Sequence, residues 1–91
     1  GQSPDFTCTG EILGEAGILD FGLSVSAGII QKAGFYGDFF GIRPAEEVSA
    51  LLEGAAYDRP ALEQALEGID ISDYFFKLTK EQFVDSLLNA V

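Results

Sequence analysis

The side chains able to do chemistry in this chain are few. Histidine is absent, there is one cysteine, Cys8, and the three lysines Lys32, Lys77 and Lys80 stand outside any glycine-rich phosphate loop. Cys8 would be a redox or sulfur-accepting thiol if it lay exposed beside positive charge, since the thiolate is the reactive form. It lies in phase with Phe6 and Ile12 with no base near in sequence, which favours a small core residue. Paired acids such as Glu46 with Glu47, or Asp70 with Asp73, could serve acid/base catalysis, but neighbours on a solvated helix surface lack the burial that tunes a carboxylate toward neutrality. With a single cysteine and no histidine, zinc, haem and Cys/His arrangements are excluded, as is an internal disulfide framework. No catalytic residue and no metal site is expected.

The charge balance narrows the partners. Fifteen acidic against five basic residues give a formal net charge of −10, which would repel a phosphate backbone, so nucleic acid is not expected as a partner. From Asp38 to Asp73 there are nine acids and only Arg43 and Arg59, at helical spacing, which reads as a solvated negative face. No apolar run approaches the roughly 18 residues of a membrane span. A soluble cytoplasmic protein of one domain, residues 1–91, is the expectation, its core drawn from a chain that is 47% hydrophobic.

Apolar and polar residues alternate from Phe6 to Ile12 and again from Leu19 to Val25, each run having the period-two pattern of a half-buried strand. Gly14 to Gly17 breaks the first pair. Ser26, Ala27 and Gly28 can close a hairpin into a third strand, Ile30 to Phe35. Beyond Gly41 the period becomes 3.6. Pro44 opens a helix with Ala45, Val48, Leu51 and Leu52 on one stripe; Asp58 caps a second, with Pro60 in its first turn and Leu62, Ala65, Leu66 and Ile69 on one face. Tyr74, Phe75 and Phe76 read as a single turn pointing inward. Thr79 and Gln82 have capping-box spacing ahead of a last helix that buries Phe83, Val84, Leu87 and Leu88. The expected class is α+β: a three-stranded antiparallel sheet followed by about three helices packed on one face, the other face being left to water or a partner.

One stretch stands out. Gly37 and Gly41 bracket Asp38, Phe39 and Phe40 where the sheet gives way to the helices. Gly37 can take a backbone bend, Asp38 can accept backbone hydrogen bonds, and the two phenylalanines can plug the sheet–helix junction. Alternatively one ring stays on the surface as a docking anchor for another domain.

In order along the chain, these features resemble the C-terminal accessory domain of bacterial lipoate–protein ligases. The resemblance rests on Gly28, Ile30, Phe35 and the Gly37, Asp38, Phe39, Phe40 element, then on Leu52, Gly54, Tyr57, Asp58 and Arg59, and finally on Ile69, Asp70, Tyr74, Phe75, Thr79, Lys80 and Glu81. Glu11 to Gly14 departs from the Arg-Phe pair common in the family, and Phe76 stands where glycine is usual. The resemblance implies an enzyme that uses ATP, Mg and lipoate to make lipoyl-adenylate and passes the lipoyl group to a lysine of an acceptor lipoyl domain. The site would belong to a larger catalytic domain, in the same chain or a separate subunit, while this domain binds no cofactor and acts as a lid. Gly37, Asp38, Phe39 and Phe40 would then be candidates for interdomain docking. Gly1 to Pro4 would be the end of the linker, with Ser3 and Pro4 at the hinge. Acceptor domains of such ligases are usually acidic, so the Asp58 to Asp73 face is expected to point away from them. The fold is also similar to sulfur-acceptor and iron–sulfur scaffold proteins, which keeps a Cys8-based role as the rival reading.

Overall fold

In the computed structural model, which describes residues 6–38 and 40–91, the alternating runs form three antiparallel strands in the order β1 (Cys8–Gly14), β2 (Gly17–Ser26) and β3 (Ile29–Gly37). Gly14 pairs with Gly17 across the first turn, and Ser26 with Ile29 across the second. The second turn is a two-residue loop in which Ala27 (φ 54°) and Gly28 (φ 76°) both take positive φ. Such loops match the right-handed twist of the flanking strands, but Ala27 carries a Cβ into a region that favours glycine or asparagine.

The ladder between β2 and β3 shifts at Ser24/Val25: Ser24 pairs with Lys32 and Val25 with Ile30, leaving Gln31 as an extra residue. This bulge lets Ile30 and Ala33, an odd number of positions apart, both face the core. The Val25 N–H donates to the Thr7 hydroxyl at 2.9 Å, while the Thr7 N–H donates to the Leu23 carbonyl at 2.8 Å. Thr7, just ahead of β1, is thereby pinned to β2.

The helices are α1 (Glu46–Leu52), α2 (Arg59–Ala65) and α3 (Lys80–Leu88), with a single 3-10 turn at Ile71–Asp73 before α3. Each cap foreseen from sequence forms. The Ala61 N–H donates to Asp58 Oδ1 at 2.9 Å, and in the capping box the Gln82 N–H donates to the Thr79 hydroxyl at 3.1 Å while the Thr79 N–H donates to Gln82 Oε1 at 3.0 Å. Asp70 caps the 3-10 turn, accepting from the Ser72 N–H and hydroxyl at 3.0 and 2.8 Å, and these bonds hold its carboxyl below the ordinary range.

All three helices lie on one face of the sheet, α1 against β3 and α3 against β1, with α2 bridging them. One continuous core results, in which Phe35, Phe75 and Phe83 meet with ring centroids 5.2 to 5.5 Å apart. The strand edges are protected as well. Segment 54–57 bonds along β3 through Gly54 N–H to the Ile30 carbonyl (2.8 Å), Ile30 N–H to the Ala55 carbonyl (2.9 Å) and Tyr57 N–H to the Gly28 carbonyl (2.8 Å). On the far side Thr9 of β1 exchanges two bonds with Val91, at 2.9 and 3.0 Å.

Four details depart from the sequence reading. β3 runs on to Gly37, past the expected end at Phe35. Leu51 is on the solvent side of α1, because seven residues of helix against β3 have room for only the stripe through Val48 and Leu52. Phe76 points outward, half-exposed, since the chain leaves the 3-10 turn immediately afterwards through Lys77 at φ 66°. Phe6, in phase with Cys8 on paper, lies instead across the outer face. Its ring covers Gly22 and Gly34, which pair with each other and leave a bare strip that a Cβ at either position would fill.

Candidate functional site

The corner that joins sheet to helices is built by close approach. The Asp38 N–H donates to the Ile18 carbonyl at 3.2 Å, and position 37, at φ 155°, requires glycine because a Cβ there would collide with that same carbonyl oxygen. Further on, the chain runs beside the 3-10 turn: the Gly41 N–H donates to the Tyr74 carbonyl at 2.7 Å and the Arg43 N–H to the Asp73 carbonyl at 3.0 Å. At Gly41 a Cβ would overlap the Asp73 carbonyl, so only glycine allows the two segments to pair.

Side chains reinforce the clamp. Arg43 grips Glu47, one helical turn on, with Nε to Oε1 at 2.9 Å and Nη2 to Oε2 at 2.7 Å, and the Tyr74 hydroxyl donates to the same Oε1 at 2.9 Å. The guanidinium and the phenol hold the Glu47 carboxyl below its ordinary value, while the carboxylate pushes the Tyr74 phenol up.

Between the clamped residues, Ile42 projects into solvent, 88% exposed. It lines two adjoining shallow grooves, one with Phe40 and Pro44, the other with Phe76 and Lys77. Phe40 is 45% exposed, with its ring 6.2 Å from that of buried Phe75. It is therefore half plug and half surface. Asp38 is exposed, and its carboxylate accepts no hydrogen bond among the described residues. Phe39, and Ser3 and Pro4 of the expected hinge, lie outside the described residues. Ile42 is not singled out in the sequence because it belongs to no periodic stripe, and Phe76 is read there as an inward ring; the i,i+4 spacing of Arg43 and Glu47 is the one legible hint of a clamp.

Cys8 is half-buried against the core, close to the hydroxyl of Tyr57, which donates to the Leu87 carbonyl and whose phenol is pushed up mainly by burial. Among the described residues no three or more Asp, Glu, Cys or His side chains gather where a metal could sit, and no helix is long and apolar enough to cross a membrane. The acidic helices are partly tied by Arg59, which reaches Asp85 at 2.6 Å and Glu63 at 3.9 Å.

A family model described as the bacterial lipoate protein ligase C-terminus matches residues 3–87. The chain belongs to that family. Among its relatives are a lipoate-protein ligase, LplJ, of Bacillus subtilis (strain 168), 36% identical over 85 residues, and lipoate–protein ligase 1 of Staphylococcus aureus (strain Mu50 / ATCC 700699), 27% identical over 84. The matches cover 93% and 92% of this chain but 26% of each relative, so the chain spans about a quarter of the length of the curated relatives it matches. The corner from Gly37 to Arg43 lies wholly inside the part shared with this lipoate ligase C-terminal family.

Proposed function

We propose that this chain is the accessory domain of an ATP-dependent lipoate–protein ligase. It supports formation of lipoyl-adenylate by a separate, larger catalytic domain, which then transfers the lipoyl group to a lysine of an acceptor lipoyl domain. The observation that carries the reading is the corner itself: a doubly clamped segment that holds out Ile42 beside half-exposed Phe40 and Phe76. A clamped apolar projection is suited to docking, because little conformational entropy is lost when it is covered. Gly37, Asp38, Phe39 and Phe40 are the docking residues of this reading, with Gly37 and Phe40 also serving the fold, and Ser3 and Pro4 belong to the tether that lets the domain leave its seat between the two half-reactions. ATP, Mg and lipoate are assigned to the larger domain. Among the described residues no three or more acidic side chains gather where a metal could sit.

The test is removal of this domain from the complete ligase. Lipoyl-adenylate formation should collapse while transfer from pre-made adenylate continues; a truncated enzyme that adenylates at the normal rate would refute the assignment.

A further inference from the structure

The exposed apolar side chains are unevenly placed. Leu13 (70% exposed) and Ile18 pair next to the turn of the first hairpin, on the outer face. The turn between them carries Glu15, which lies 3.7 Å from Lys77, next to Phe76. On its other side the Ile18 carbonyl holds the Asp38 N–H, two residues before Phe40. Ile42 and Phe76 share a groove. These contacts link Leu13, Ile18, Phe40, Ile42 and Phe76 in a ring at one end of the molecule; of the other large exposed apolar residues, Tyr36 pairs with Asp20 in the sheet, Leu51 belongs to α1 and Val91 bonds to Thr9.

We infer that this whole end, hairpin tip and corner together, is one docking face, and that its occupant is the larger domain of the same ligase, through an apolar patch edged by lysine or arginine. The inference rests on the accessory-domain reading above and extends its seat from the corner to Leu13 and Ile18. Two observations select the occupant. About three quarters of the length of the relatives lies outside the region this chain matches, which supplies a surface always at hand. The charge at the rim supplies the sign: Lys77 is turned to Glu15 and Arg43 to Glu47, leaving Asp38 and Asp20 uncompensated by those bases. A second copy, with its own net charge of −10, is disfavoured on the same ground.

In the complete ligase, Leu13→Asp and Ile42→Asp place charge in the seat without disturbing the core, and each should lower adenylate formation by about tenfold or more. Transfer from pre-made adenylate and the unfolding temperature should stay unchanged. Asp38→Lys should also slow adenylation, with the deficit shrinking as salt rises, since a rim charge acts through a screened field. If deletion of the domain abolishes adenylation but Leu13→Asp and Ile42→Asp behave as the parent enzyme, this face is wrong while the accessory reading stands. If deletion has no effect, the accessory reading fails first. A loss confined to the acceptor step would assign the face to the acceptor protein, and a change in sedimentation to a second copy; either result overturns the proposal, as does an Asp38→Lys effect indifferent to salt.

Discussion

Gly41→Ala tests the clamp directly. The added methyl group has no room, because its position is taken by the Asp73 carbonyl, and backbone cannot step aside as a flexible side chain would. Relief requires the 40–43 segment to lift off the 3-10 turn, which breaks the Gly41-to-Tyr74 and Arg43-to-Asp73 hydrogen bonds of 2.7 and 3.0 Å. Each such bond contributes about 1 kcal/mol net, and residual overpacking costs roughly 1–3 kcal/mol if the loop stays seated. A loss of about 1–3 kcal/mol follows by either route. For a domain of this size that corresponds to a fall in unfolding temperature of roughly 4–24 °C. The assay is thermal unfolding followed by circular dichroism, with urea unfolding to give the free energy. Ile42→Ala is the control, expected within about 0.5 kcal/mol of the parent because the side chain is almost wholly in solvent. If Gly41→Ala melts within about 2 °C of the parent, the corner yields freely, and the argument that it presents Ile42 rigidly is refuted.

Two further predictions concern the hairpin and the pH range. Ala27→Asn should stabilise the fold by about 1 kcal/mol, raising the melting temperature by roughly 4–8 °C, because asparagine tolerates the left-handed conformation that alanine adopts at strain; an unchanged or lower melting temperature would contradict the turn geometry. For Glu47, a folded-state carboxyl held below the ordinary value of 4.5 contributes stability above that pH and loses it as pH falls through the lower folded value. Tyr74, held above its ordinary 10.0, contributes below that pH and loses its share as pH rises through the higher folded value. The stability gap between the parent and Glu47→Gln, read from melting temperatures across pH, should therefore be widest at neutral pH and close on the acid side; a gap that is flat down to pH 3 would mean the clamp is not electrostatic.

Local patterns carried much of the fold into legibility. Strand alternation, the cap residues Asp58 and Thr79 and the switch from period two to 3.6 at Gly41 each act over a few residues, so they can be read without knowing what the chain packs against. Family membership was legible on the same basis, since it rests on residue types in order. What chain order could not determine was the side a residue takes where regular structure stops. Phe6 sits two positions before Cys8, yet Thr7 is stapled to β2 and the ring turns onto the glycine strip of the outer face. Phe76 follows two buried aromatics, yet Lys77 turns the chain through positive φ and leaves the ring outside. Ile42 belongs to no stripe at all, and only the pairing of Gly41 and Arg43 with a turn some thirty residues on decides that it faces solvent. Element type follows from short-range periodicity and is written in the sequence; the docking end is set by long-range backbone pairing, which appears only when the chain has closed on itself.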